Sequence, residues 1–380
     1  MKVLINALSA RRGGIVTYTR NVTAALVERG IDVVVAAPSD LGIECGHGSH
    51  IKIDVAEYRP LRRAVWEQVV WRRIVSRVGP DVLFSSANYA LLRSPVPQVL
   101  LIREGGLFDP FYLANVAPGQ GMEAAVLRNL RRRLMIRSGR RADRVFTPSE
   151  TTREQLLLWA PDLRHKVTAN HYGAPIEAFK RLPGATRRLG DGPVRLLYVS
   201  VYYPHKAPYV LVRAVERLNR EGFPASATIS MTEDEIGARA GGALDRLTIE
   251  AAALGDTIRF GGHAYDSLPA LYRDHDLFVF PSVNETFGHP MAEAMSAGIP
   301  IVAADTQINR EICAEAALYF TPFSHHDLAR RIRELAADPA LRQRLVDTGR
   351  SRVASQFRWE SHVERLIAIF EAAISDGARP

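Results

Sequence analysis

Two doubly wound α/β domains are what this sequence predicts, and three observations predict them. Residues 276–305, DLFVFPSVNETFGHPMAEAMSAGIPIVAAD, read as strand, turn, helix, strand. The chain opens on another strand–turn–helix–strand unit, and a stretch rich in proline and glycine within residues 180–193 separates the two. Strands that alternate with helices build a parallel sheet covered on both faces.

The bulk composition agrees with that architecture. At 380 residues, 47% apolar and 24% charged, the chain holds material for two cores. Lysine and arginine (49) exceed aspartate and glutamate (41), leaving a net charge of +8. That excess suits an anionic partner, whether nucleotide, phospholipid head group or nucleic acid, without choosing among them. Cys45 and Cys313 are the only cysteines and lack metal-ligand spacing, so a reduced, cytoplasmic setting is expected. The start, with one lysine and then strand-like residues, does not read as a signal peptide. No apolar run approaches the ~20 residues that span a bilayer. A soluble chain is expected, with peripheral contact at the inner face of a membrane still open.

The first domain is expected over residues 1–175. Lys2 to Ala7 reads as a strand, and Gly13-Gly14 lie in the turn that leads to a helix from about Ile15 to Glu28. Glycine there permits close approach of a ligand to the backbone. Gly30 ends the helix and Asp32 to Ala37 is the second strand. Pro60 to Val78 reads as one helix, with Trp66, Val69, Val70, Trp71 and Ile74 among arginines. Strands at Pro80 to Ser86 and Gln98 to Ile102 follow, the latter running into Arg103-Glu104-Gly105-Gly106. Leu127 to Arg144 is the most basic segment, and Leu127, Leu130, Leu134, Met135 and Ile136 recur at roughly helical spacing. It reads as a helix with one core face and a solvated basic face; the alternative is a patch for anionic lipid. Val167 to His171 is the last strand of this half.

Residues 176–193 read as a linker, and residues 194–356 as the second domain. Its first strand, Val194 to Val201, leads through Lys206 to a helix from about Val210. A cation just after a strand end is placed to neutralise a diphosphate leaving group. Ala225 to Ser230, Ile258 to Phe260 and Leu277 to Phe280 are later strands. Glu285 stands in the turn after the last of these, and Glu293, with seven residues between them, lies inside the helix of residues 290–295. Between them, Phe287, Gly288 and His289 occupy the helix start, where unpaired N–H groups and the helix dipole favour a phosphate. A carboxylate on either side of a phosphate cradle suits a ligand whose hydroxyl groups flank a charged middle, such as a nucleotide sugar. His263 reads as a loop residue.

The run from Glu285 to Pro300, ETFGHPMAEAMSAGIP, resembles the E-x7-E signature of the retaining glycosyltransferases of family four. That resemblance implies the GT-B fold: two Rossmann-like domains facing a central cleft, with the C-terminal helix of residues 357–380 returning to the N-terminal domain. It implies an N-terminal acceptor-side domain and a C-terminal domain that binds the nucleotide-sugar donor. Carried over residue by residue, it makes Glu285 and Lys206 catalytic. Gly14, Phe287, Gly288, His289, Glu293 and Ala264 would contact the donor: Glu293 its ribose, Ala264 its base, Gly14 its diphosphate. Gly13, Arg103 and Glu104 fall on the acceptor side. The chain departs from the family in two places. Val201 stands near the arginine of the family's Gly-Arg-x-x-x-x-Lys-Gly pattern, and no histidine occurs near Arg103, where many relatives use one on the donor sugar.

The resemblance implies transfer of a sugar from a nucleotide-diphosphate sugar to a hydroxyl acceptor, glycan, lipid-linked or small, in cell-surface polysaccharide or glycoconjugate synthesis. No cofactor beyond the donor is expected. No metal-binding Asp-x-Asp site is read in the sequence, so metal independence is expected, and a nucleic-acid partner is not. Two other readings share the same motifs: a GT-B nucleotide-sugar epimerase or hydrolase, and a non-catalytic protein that uses the basic helix to bind anions or membrane.

Overall fold

The structure is a computed structural model that describes residues 1–10, 14–39, 49–55, 58–174, 176–179, 192–263 and 267–377. The backbone forms two compact units. One comprises Met1–Phe108, Val126–Gly173 and Trp359–Pro380; the other comprises Asp109–Ala125 and Ala174–Arg358.

The first unit is built on seven parallel strands: β1 (Lys2–Asn6), β2 (Asp32–Ala37), β3 (Ser49–Lys52), β4 (Val82–Ser85), β5 (Gln98–Leu101), β6 (Arg144–Thr147) and β7 (Val167–Ala169), in the order β3-β2-β1-β4-β5-β6-β7. Runs such as Val33-Val34-Val35 are buried on both faces, as a parallel sheet covered by helices requires. The helix Gly14–Glu28 turns Ile15, Tyr18, Val22 and Leu26 inward, and Gly30 ends it at φ +73°. The C-terminal helix Trp359–Gly377 packs on the same sheet, with Phe370 5.5 Å from Phe84. Its His362 is fully buried; Nδ1 donates to the His171 carbonyl (2.9 Å) and Nε2 accepts from the Tyr18 hydroxyl (3.1 Å).

Three details differ from the sequence pattern. A π-helical turn, Glu67–Trp71, interrupts the helix expected from Pro60 to Val78. The extra residue in that turn carries Trp71 into the core and leaves Val69 and Val70 exposed. The basic helix, Gly121–Arg141, does not bury its leucines: Met135, Ser138 and Gly139 form its inward face, while Leu127, Leu130 and Leu134 stay exposed. Gly139 explains the choice, since a Cβ there would stand 3.1 Å from Leu163. Finally, residues 109–125 belong with the second unit rather than the first. Asn284 donates to Asp109 (2.7 Å), and Phe111 stacks on Phe323 at 6.0 Å.

The second unit carries six parallel strands: β8 (Val194–Tyr198), β9 (Ala225–Ile229), β10 (Ile258–Phe260), β11 (Leu277–Phe280), β12 (Ile301–Ala304) and β13 (Ala317–Phe320). Their order is β10-β9-β8-β11-β12-β13. The direction of winding therefore reverses between β8 and β11, which pair as Leu277 with Leu196 and Phe278 with Leu197. Crevices for ligands open at such a reversal, beyond the carboxyl ends of the two strands. The helix His289–Ala297 between β11 and β12 is buried along residues 291–297 and closes at Gly298, φ +68°. The Pro/Gly-rich segment read as a linker lies, through residue 191, outside the described residues.

Candidate active site

The loops that follow β8 and β11 are neighbours because their strands are, and each delivers one charged side chain. After β8 the chain makes a 3-10 turn, Pro204–Lys206, and Ala207 takes φ +44° before the helix Pro208–Arg220 begins. The Tyr198 hydroxyl donates to the Lys206 carbonyl (2.8 Å) and fixes the turn to the strand it left. The Val283 amide, in the loop after β11, donates to the His205 carbonyl (2.9 Å) and joins the loops to each other. Lys206 Nζ then meets Glu285 Oε1 at 2.5 Å, with only 13% and 12% of the two side chains exposed. The residues expected to be catalytic are thus one ion pair.

The rest of the loop after β11 is shaped to carry Glu285. Gly288 caps the following helix at φ +78°, and a Cβ on it would lie 2.5 Å from Met291 Cε and 3.8 Å from Glu285 Cγ. Glycine is required there by both conformation and space. Phe287 is buried edge-on against Phe357 (5.2 Å), and His289 packs against Phe287 at 5.0 Å. Phe287 thus acts as an anchor, and only its backbone is left to meet a ligand. Asn309 is fully buried and donates to the carbonyls of Ser282 (3.1 Å) and Ala304 (2.9 Å), tying the exits of β11 and β12 together.

Glu293 lies inside the helix, 5% exposed, and accepts from the Tyr272 hydroxyl at 3.0 Å. Burial raises its carboxyl to about 7, against a lowering by that hydrogen bond. His205 moves the other way. Burial of its ring, then the nearby charges of Lys206 and Arg239, hold it well below the usual histidine range, so it is a neutral imidazole at physiological pH.

Lys206, Glu285, Phe287, Gly288, His289 and Glu293 all belong to the second unit, whereas Gly14, Arg103 and Glu104 belong to the first. Gly14 is the first residue of its helix. The Arg103 amide donates to Asn88 (2.8 Å), and Glu104 forms an ion pair with Arg131 at 3.0 Å. Gly13 and Ala264 lie outside the described residues. His263 is exposed in its loop. Asp274-His275-Asp276 has Asp-x-Asp spacing, but Asp274 is exposed beside Arg273 (3.5 Å), and the other two side chains are held by structural partners. Asp276 pairs with Arg195 (3.0 Å), and His275 donates to the Leu271 carbonyl (2.7 Å) and accepts from Thr228 (2.8 Å). Among the described residues, no group of three or more histidine, cysteine or acidic side chains is arranged to hold a metal ion. The sequence gives no advance sign of Tyr272 as a partner of Glu293, or of Arg239 beside His205, because both arrive from elements distant in the chain.

Two family models match the chain: "Glycosyltransferase Family 4" over residues 12–173 and "Glycosyl transferases group 1" over residues 187–352. A D-inositol 3-phosphate glycosyltransferase of Salinispora tropica is 37% identical over 206 residues, covering 50% of this chain and 41% of that protein. The chain spans about half the length of the curated relatives it matches. Among solved structures, sucrose-phosphate synthase from Thermosynechococcus elongatus superposes with a TM-score of 0.79 at 20% identity, covering 99% of both chains. Anabaena HepE in complex with UDP-glucose gives 0.76 at 16% identity, covering 98% of this chain and 100% of that one. At such identities the likeness speaks for the fold, and the fold is the one the strand order already describes. With its E-x7-E run at the strand reversal, its two parallel sheets and its match to both models, the chain belongs to the family-four glycosyltransferases and has the GT-B fold.

Proposed function

We propose that this protein moves a sugar from a nucleoside diphosphate to a hydroxyl acceptor, with retention at the anomeric carbon. The observation that carries the proposal is the Lys206–Glu285 pair, set at the carboxyl ends of the two strands between which the sheet reverses. The complex of HepE with UDP-glucose supports a nucleotide sugar as donor, and the name of the D-inositol 3-phosphate glycosyltransferase supports a small hydroxyl compound as acceptor.

The chemistry follows from the two charges. The bond between the anomeric carbon and the diphosphate oxygen breaks, and the acceptor oxygen bonds to the same face. The acceptor's proton passes to the departing phosphate oxygen. Lys206 and the first turn of the helix after Gly288 oppose the charge that builds on the diphosphate. Glu285, as Lys206 turns to phosphate, accepts hydrogen bonds from the sugar and stabilises the electron-poor carbon. Glu293 takes the ribose hydroxyls. This scheme draws on protein groups alone, so chelation with EDTA is expected to leave turnover unchanged.

The test is a panel of UDP-, GDP- and ADP-sugars with glycan, lipid-linked and small hydroxyl acceptors. Glu285→Gln lowers turnover by about a hundredfold or more while the protein stays folded. Undiminished turnover by that variant would remove Glu285 from the reaction. Donor consumed at the full rate without acceptor would instead identify an epimerase or hydrolase. A product of inverted configuration, read from its anomeric proton coupling, would overturn retention.

A specific observation favours a second reading, in which the protein meets its acceptor at a membrane surface. On the basic helix, Val126, Leu127, Leu130 and Leu134 are exposed beside Arg133, Arg137 and Arg141, which make no ion pair among the described residues. An apolar stripe next to unpaired arginines suits an anionic bilayer surface, each arginine adding about 1 kcal/mol near it. No helix among the described residues is long and apolar enough to cross a membrane. Binding to phosphatidylglycerol vesicles, weakened by Leu130→Glu and absent on phosphatidylcholine, is the expected result. Equal recovery with both vesicle types would dismiss it.

A further inference from the structure

The donor site described above has a charge deficit. A diphosphate ester is a dianion before its bond breaks and gains charge as it departs. Lys206 is the cation at the site, yet its charge is opposed at 2.5 Å by Glu285. A second cation stands beside it. Arg239 follows the helix Glu233–Ala238, and its guanidinium carbon lies 3.9 Å from the centre of the Tyr203 ring. Tyr203 in turn stacks on His205, the neighbour of Lys206, with ring centres 5.6 Å apart and planes 18° from parallel. The side chain of Arg239 is exposed and makes no ion pair among the described residues. A guanidinium parked on a ring, without an acidic partner, is held in place while its hydrogen-bond donors remain available.

The backbone around it supports this placement. The Gly242 amide donates to the Arg239 carbonyl (2.9 Å), which makes the segment a tight turn. Gly241, at φ +88°, lies against Pro204: a Cβ there would reach 3.4 Å from the proline ring. The turn bearing Arg239 and the turn bearing Lys206 are therefore packed against each other. Lys206 and Arg239 both depress His205, after the larger effect of its burial, which is what two cations flanking one ring produce.

We propose that Arg239 is a second phosphate-binding residue of the donor site, supplying the fork of donors and the uncompensated charge that Lys206, paired with Glu285, does not. This rests on the reading of that site as one for a nucleoside diphosphate. Tyr203 is its positioning residue, since it touches the guanidinium and nothing in the reaction.

The experiment measures affinity by titration calorimetry for UDP, GDP and ADP and for the matching nucleosides, in the wild type, Arg239→Gln and Arg239→Lys. Loss of a charge-assisted contact predicts a diphosphate affinity about tenfold to a hundredfold weaker in Arg239→Gln. Arg239→Lys recovers part of it, and nucleoside affinity and melting temperature stay where they were. Diphosphate affinity unchanged in Arg239→Gln would overturn the inference. So would an equal loss for nucleoside and diphosphate, which would make Arg239 a prop for the loop. If the wild type binds none of the three diphosphates, the reading of the donor site falls first and takes this inference with it.

Discussion

The proposed contact of Glu293 with the donor's ribose would make binding a proton-linked event, and the sign and size of the linkage can be worked out. In the free protein its carboxyl is raised to about 7, chiefly by burial. Ribose hydroxyls donated to that carboxyl favour its charged form and pull the value down. Binding therefore releases a proton wherever the free protein still holds one. At pH 6.5 roughly three-quarters of the free molecules are protonated there, so the release approaches three-quarters of a proton; by pH 8.5 it is close to nil. Affinity accordingly rises with pH, by about tenfold between pH 6 and 8, and then levels off. Nucleotide sugars are the probe of choice because their diphosphate has no proton to lose in this range. Calorimetry in two buffers of different ionisation enthalpy counts the protons, and Glu293→Gln is the control that loses the linkage. Proton uptake at pH 6.5, or the same pH dependence in Glu293→Gln, would refute the assignment. Stability carries the companion signature. A carboxyl raised by folding favours the folded state fully below its unfolded value, and that contribution is lost as pH rises through about 7, to a total of about 3 kcal/mol. Asp245, raised to about 6 by burial and held by Tyr202 (2.8 Å), adds a fall of the same sign at lower pH. Proton counting on binding separates the two groups, because Asp245 has no part in the proposed donor site.

Gly288→Ala places a Cβ at φ +78° and against Met291 Cε. It is expected to cost about 1–3 kcal/mol in urea denaturation and to lower turnover as Glu285 shifts; a variant as stable and active as the wild type would contradict the packing. Ala207 holds φ +44° at the start of a helix, so Ala207→Gly should raise the urea midpoint by about 1 kcal/mol of stability, whereas a lowered midpoint would mean that the buried methyl group matters more than the backbone.

How much of this was legible in the sequence depends on the range of the interaction involved. Strand ends and helix starts are local, so Leu277 to Phe280, the turn after it and the helix ending at Gly298 could all be read from apolar runs and punctuation. The strand order could not, because pairing β8 with β11 joins residues about eighty positions apart, and nothing in either strand names its neighbour. Lys206 and Glu285 were each recognisable as charges after a strand, but their contact is a product of that order. The basic helix shows the opposite failure. Leucines at helical spacing suggest a core face, yet the inward side is chosen by Ser138 and Gly139, whose small size permits close approach and whose low hydrophobicity hides it. Composition reports what a surface would bury if it were free to choose, and a close backbone contact removes the choice.

The Lys206–Glu285 pair has a consequence for affinity that no single-residue view contains. Two opposite charges held together with little exposure are poor stabilisers, since desolvation offsets most of their attraction. They are, however, each other's competitor for a ligand. On the proposed reading, a nucleoside diphosphate would draw Lys206 toward phosphate and leave Glu285 without its partner, whereas a nucleotide sugar would bring hydroxyls that donate to Glu285 at the same moment. Removing the carboxylate should therefore have opposite effects on the two ligands. Glu285→Gln is expected to bind the diphosphate severalfold more tightly than the wild type, because Lys206 no longer has to be won from an anion, and to bind the nucleotide sugar no better or more weakly. The comparison needs only equilibrium titrations of the two ligands against the two proteins. If Glu285→Gln weakened the diphosphate and the nucleotide sugar alike, the carboxylate would be a support for the loop after β11, and the pair would not be the device that makes the site respond to a sugar.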